Sequence, residues 1–236
     1  MIHCPVCSVP NHHLAVTCSS CGSFVQRRVD NLDLFSVLWK VIEQPSKAFL
    51  EIAIARHKNF ALFLSGVAGF AISFGMLWAM HAGDYTDSLL NIMAAGLVAG
   101  PFCGMFSLLF LSAVHTSIAH LTGVHVKYRN SFAVIGYALM PVAVISLTAV
   151  PIELLSFGIF FFSSNPSPYL LKPASFLLLM GLDGVLVLWC GILMLIGTKE
   201  LFGSGWLRAA VVVGVTLLLY AGILAGAVLK LTGGKF

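Results

Sequence analysis

The residues with the plainest chemistry stand at the start of the chain, where MIHCPVCSVPNHHLAVTCSSCGSF carries Cys4, Cys7, Cys18 and Cys21 in the spacing C-x2-C-x10-C-x2-C. Two residues between paired thiols let both sulfurs of one tight turn face a single tetrahedral ion at about 2.3 Å, and Pro5 and Gly22 suit such turns. The second pair completes the ligand shell. Residues 1–26 therefore read as a zinc ribbon with one structural Zn per chain, all four positions taken by thiolate and none open to water. So short a segment cannot bury a core of its own, and the metal has to supply its folding energy. Two disulfides, or unpaired thiols, are the alternatives, and the redox compartment decides among them. His3, His12 and His13 read as exposed loop histidines, since four cysteines already satisfy the ion.

Two acids lie inside hydrophobic stretches. A charge near the centre of a bilayer costs about 2.5 to 3.5 kcal/mol on insertion scales, so Glu153 and Asp183 are candidate functional groups. Along a continuous helix Glu153 falls about 33 Å from Ser131, near the far interface, whereas Asp183 lies about 12 Å deep. Asp183 is thus the costlier of the two, with Tyr137, Tyr220 or a backbone group as expected partner; a structural hydrogen bond, an ion or proton role, and local water access all remain open. His115, His120 and His125 follow at five-residue intervals, about 500° of helical rotation per step, so they do not share a face and read as interfacial histidines. Cys103 and Cys190 read as small hydrophobes. No nucleophile elbow, P-loop, Rossmann glycine pattern or H-E-x-x-H helix is present, so the chain is read as no enzyme.

The elements that carry these groups follow from composition. With 59% hydrophobic and 9% charged residues and a mean hydropathy of +0.98, the chain is an integral membrane protein, since soluble domains carry about 25% charged residues. A net charge of +4, dispersed along the chain, does not point to nucleic acid. Five stretches reach the roughly 20 apolar residues a spanning helix needs: 60–80, 89–118, 131–162, 175–195 and 206–229. The expected fold is an all-α five-helix transmembrane bundle, residues 59–232, behind a small zinc ribbon and an amphipathic juxtamembrane segment, 27–58. The third stretch is too long for one perpendicular span, and Pro141 and Pro151 are its kink points.

Segment 27–58 holds Leu34, Phe35, Leu38, Val41 and Ile42 at helical spacing, then Pro45, then Phe49, Ile52 and Ala53. Two short amphipathic helices with Trp39 and several cations suit the headgroup region, and a helical linker packed on the ribbon is the other reading. Ten of the thirteen Lys and Arg residues lie before span one or in the loops after spans two and four; Lys172, Lys230 and Lys235 lie on the other side. By the positive-inside rule the N-terminus is cytoplasmic and the C-terminus opposite, and a reducing cytoplasm favours thiolate over disulfide. The N-terminus lacks the basic flank and apolar run of a signal peptide, so span one is expected to be the targeting signal. Gly96, Gly100 and Gly104 line one face of span two, as do Ser65, Gly69 and Ser73 in span one and Gly222 and Gly226 in span five; such rows let helices approach closely within a chain or between subunits.

The approach segment Leu38 to Phe49, LWKVIEQPSKAF, and the central VIGYALMPVAV, Val134 to Val144, resemble the Yip1-domain family of multi-pass membrane proteins over roughly Asp33 to Leu229. Gly136-Tyr137 followed by Pro141 is similar to the Gly-Tyr motif of that family's third span, and the ribbon ahead of the spans looks like the arrangement of prokaryotic members. The family's Asp-Leu-Tyr-Gly-Pro motif is matched only at Asp33-Leu34. The resemblance implies a multi-pass protein of a prokaryotic inner membrane; eukaryotic relatives act in vesicle traffic and membrane shaping with prenylated GTPases. The expected role is a membrane scaffold or adaptor, homo- or hetero-oligomeric in the bilayer, whose ribbon binds a cytoplasmic protein. The alternative is a small transporter or channel with Asp183 and the kinked third span lining a path.

Overall fold

The computed structural model describes residues 1–58, 60–203 and 205–232; Asn59, where the membrane domain is expected to start, and Lys235 of the tail lie outside them. The chain begins as a ribbon in which strands β1 (Ile2–His3) and β2 (Pro10–Asn11) pair antiparallel, followed by a bridge between Thr17 and Phe24. Helices α1 (Leu34–Glu43) and α2 (Pro45–Ile54) come next. Asp33 caps α1 by accepting from the Ser36 N–H at 2.8 Å, and Pro45 starts α2 where its missing N–H costs nothing.

Five apolar segments then have the length and composition of membrane spans: α3 (Ala61–Ala79), α4 (Leu89–Leu121), the composite Tyr128–Phe162, α9 (Pro173–Phe202) and α10 (Trp206–Leu231). The composite third span comprises α5 (Tyr128–Ala138), α6 (Met140–Leu147), α7 (Ala149–Phe157) and a 3-10 turn over Gly158–Phe162. Pro141 sits in the first turn of α6 and Pro151 in that of α7, so each break follows from a missing backbone donor. A short α8 (Pro168–Leu171) leads into α9.

The third span is the centre of the bundle. Its most apolar window is 83% buried, against 17% for α9 and 22% for α10, which leave most of their surface to lipid. One core cluster gathers Tyr137, Val134, Ile135, Phe49, Ile52, Leu108 and Leu193; a second, towards the end away from the ribbon, gathers Phe74, Phe157, Phe161, Phe162 and Leu179. Loops at that far end are tied where the Ser164 N–H donates to Asp84 at 2.9 Å. The Ser164 hydroxyl and N–H hold the Asp84 carboxyl below the usual carboxylate range against the opposing effect of partial desolvation.

The closest helix contact is between α3 and α4. A Cβ on Gly69 would fall on the Gly100 carbonyl oxygen, and one on Gly104 on the Ser65 carbonyl oxygen, so the two backbones touch directly where the small-residue rows of spans one and two meet. Gly96 leaves room for the Phe74 ring, 2.6 Å from where a Cβ would lie, and Gly100 for Phe70. The Ser73 hydroxyl donates across the same seam to the Gly96 carbonyl at 2.9 Å. In span five the row does no packing within the chain: nothing lies within 4 Å of a Cβ on Gly222 or Gly226, because α10 meets the bundle through Ala209, Val212, Val213 and Thr216.

The juxtamembrane helices also divide their roles. Phe49 and Ile52 of α2 are fully buried, with Phe49 seated in the space left by Gly197 of α9, so the apolar face of α2 belongs to the bundle and not to the headgroup layer. Helix α1 packs on α2 through Val37 and Val41, is joined to it by the Lys40–Glu51 ion pair at 2.8 Å, and leaves Phe35, Trp39 and Ile42 exposed. Gly104→Leu should therefore cost at least the 1–3 kcal/mol typical of over-packing and sharply lower the yield of monodisperse protein in fluorescence-detected size-exclusion chromatography. Gly222→Leu should leave that profile unchanged.

Candidate metal centre

The ribbon is built from two copies of one turn. Ser8 N–H donates to the Cys4 carbonyl and Cys4 N–H to Val9; fourteen residues on, Gly22 N–H donates to Cys18 and Cys18 N–H to Ser23. The residue after each second cysteine takes a positive φ, 57° at Ser8 and 72° at Gly22, which turns the chain back so that both thiols of a pair face inward. Val6 N–H and Ser20 N–H each point at the first sulfur of their turn at 3.4 Å. All four sulfurs lie within 4.8 Å of one another, with Cys4–Cys21 at 3.6 Å and Cys7–Cys18 at 3.5 Å. The sulfurs of a tetrathiolate site with bonds of about 2.3 Å lie about 3.8 Å apart, so this spacing fits one tetrahedral ion.

The electrostatics agree. The Ser23 hydroxyl, together with the Cys7 N–H, holds the Cys4 thiol down at about 6; Cys7 feels the Val9 N–H, yet desolvation and the other three thiols push it up to about 12. Four thiolates this close repel one another strongly unless a cation sits among them. Asn11, which carried no signal in the sequence, joins the two turns: its amide donates to the Val9 carbonyl at 2.8 Å and approaches the Cys18 sulfur, while its oxygen accepts from Ser19 N–H at 2.9 Å.

His13 is not a free loop histidine. Its Nε2 lies 3.2 Å from the carbonyl oxygens of both Glu200 and Leu201, acceptors that the end of α9 leaves unpaired, so the ring donates to them. Gly203 follows at φ 58°, and a Cβ there would lie 2.7 Å from the imidazole. Left-handed backbone and ring space both call for glycine at that position. Gln26 braces the loop by donating to the His13 and Ala15 carbonyls at 2.7 and 3.0 Å. The ribbon is thereby seated on the end of the fourth span.

Within the bundle His115 is fully buried and bonded at both ring nitrogens, to Ser131 Oγ at 3.1 Å and Thr198 Oγ1 at 2.9 Å, which fastens α4, α5 and α9 together. The interfacial reading of this residue is corrected. The signal was available: counting along α4 from Gly104 through Leu108 and Leu111, His115 falls on the same inward face. His120 and His125 do lie beyond the buried part, with rings 5.4 Å apart where the helix ends. The expected partner of Asp183 is likewise corrected to Glu153: the two carboxyls come within hydrogen-bonding reach of each other, and Glu153 is only 3% exposed. The straight-helix depth count separated them. The breaks at Leu139 and Thr148 interrupt that count, so the path from Ser131 to Glu153 does not follow a straight helix of about 33 Å. Tyr220 bonds to Ser107 at 2.6 Å instead. Gly136 lets the start of α3 approach, a Cβ there lying 2.6 Å from the Ala61 methyl, while the buried Tyr137 hydroxyl has no well-formed hydrogen bond among the described residues.

Four apolar spans around a broken central one, with a tetrathiol ribbon seated on the end of the fourth span, define a multi-pass membrane protein with an N-terminal module that can hold a metal ion. The Yip1 domain matches residues 39–228, and the chain belongs to the Yip1-domain family, the ribbon lying ahead of the matched region. Neither a curated protein nor a solved structure matches the chain.

Two outcomes test this geometry. His13→Ala should leave the bundle folded while exposing the segment between residues 26 and 33 to limited proteolysis, and Gly203→Val should do the same. His115→Ala, which orphans two buried hydroxyls, should lower unfolding stability by about 2 kcal/mol, with His115→Gln recovering part of the loss.

Proposed function

We propose that the chain is a membrane scaffold of the Yip1 type whose ribbon, folded around one zinc ion, serves as an adaptor for a soluble partner on the cytoplasmic side. The observation that carries this reading is the seating of the ribbon: one edge is anchored through His13 to α9, while Val6 and Phe24 on its surface stay 71% and 60% exposed. An anchored module with uncovered apolar side chains holds a partner at a fixed distance from the bilayer. Four thiolates select zinc or iron, and a closed tetrahedral shell in which none of the four sulfur positions is open suits a structural zinc ion. Residues 1–26 are the module, 27–58 the connection to the bilayer and 59–232 the membrane domain, and the charge asymmetry supports a cytoplasmic ribbon.

Purified protein should contain about one zinc per chain by elemental analysis, lost in Cys4→Ser/Cys7→Ser, with the bundle still folded. Deleting residues 1–30 should abolish recovery of the partner that crosslinks to the ribbon in vivo. Unchanged recovery would refute the adaptor role, and iron in place of zinc would refute the metal assignment.

A further inference from the structure

The carboxyl pair on the third and fourth spans is unused by the ribbon reading. Glu153 of α7 and Asp183 of α9 come within hydrogen-bonding reach of each other about 15 Å along α9 from Pro173, with Glu153 buried and Asp183 partly exposed. Glu153 is 3% exposed, and two oxygens, Glu153 Oε1 and Asp183 Oδ1, are buried with no donor group on them among the described residues. No Lys, Arg or His forms an ion pair with either group among the described residues. The cation that does reach α7, Lys172, donates to the Ser156 carbonyl at 2.9 Å, and Asp84 at the far rim is occupied by Ser164.

Carboxyl oxygens only accept when ionised, and two of them side by side in hydrocarbon require a positive charge between them. One cation between Glu153 Oε1 and Asp183 Oδ1, a shared proton or a metal ion, satisfies both of these buried oxygens at once. Converging hard oxygens contributed by two helices are the donor set that protons and alkali-metal ions take in membrane proteins, and an ionisable group inside a span is retained when it binds something. On their own helices the two acids are flanked within about one turn by apolar residues, Val150 and Leu154 beside Glu153 and Leu179, Met180 and Leu186 beside Asp183, all members of one hydrophobic cluster.

We propose that Glu153 and Asp183 form a membrane-embedded site for one hard cation, a proton or a sodium ion, held between the carboxyls of the third and fourth spans. Binding joins α7 to α9 in the half of the bundle away from the ribbon, so the site stands or falls independently of the adaptor role.

The test uses the full chain in lipid nanodiscs, followed by thermal unfolding monitored through tryptophan fluorescence. One series replaces choline chloride by sodium chloride at constant ionic strength and pH; a second varies pH in choline chloride. A cation that binds only the folded state raises the melting temperature with its concentration. A rise with sodium that is lost in Asp183→Asn and in Glu153→Gln identifies a sodium site. A rise on acidification alone, lost in the same variants and accompanied by an infrared carbonyl band of a protonated carboxyl that Glu153→Gln/Asp183→Asn lacks, identifies a proton site. The double amide keeps shape and hydrogen bonding without charge, which separates loss of binding from loss of folding. Wild-type melting that responds to neither cation, or a response that persists in the double variant, overturns the proposal.

Discussion

Hydrocarbon supplies no hydrogen-bond partner, and a helix broken twice inside a bilayer has to find its partners in protein. The third span is such a helix. Pro141 and Pro151 each remove a donor, and the chain responds by wrapping this segment more completely than any other, with 83% of its most apolar window buried. Side chains repair what the breaks leave. Ser146 of α6 accepts from the Ala71 N–H of α3 at 2.9 Å and donates to the Val142 carbonyl, Thr148 donates to Val144 at 2.7 Å, and Ser131 meets His115. Beside this span, the glycine seam brings α3 and α4 into direct backbone contact.

What could be read without coordinates was set by strong local codes. Cys4, Cys7, Cys18 and Cys21 declare their geometry through spacing, since a two-residue gap allows one kind of turn, and the two turns do repeat. The spans declare themselves through length and apolarity. The polar groups that unite the bundle carry no such code. The five-residue spacing to His120 and His125 suggests an interfacial residue, whereas the register of His115 on the glycine face of α4 turns it inward. Glu153 and Asp183 were separated by counting rise along a continuous helix, an assumption that the prolines in the same segment contradict. His13 and Asn11 were out of reach for another reason: their partners are main-chain carbonyls and sulfurs whose positions exist only once the chain has folded. The apolar residues of α2 were visible as an amphipathic pattern, but periodicity does not distinguish lipid from the end of a bundle, and Gly197 opens the place that takes Phe49.

Helix α9 connects these parts. At its C-terminal end His13 seats the ribbon on the Glu200 and Leu201 carbonyls; one turn earlier Thr198 holds His115 and Gly197 receives Phe49; farther along Asp183 meets Glu153. Contacts of three kinds therefore bear on one 30-residue rod that is otherwise exposed to lipid. Apolar packing through Leu179, Leu193, Met194 and Leu201 holds the same helix against the bundle. Its position is consequently a shared variable of the ribbon, the central span and the acid pair. Any ligand that prefers one position of α9 must, by linkage, have that preference felt at the other contacts, and with equal coupling free energy in both directions. The route between the ribbon and the acid pair is therefore one helix, because the helix whose end His13 caps also carries Asp183, the partner of the buried Glu153.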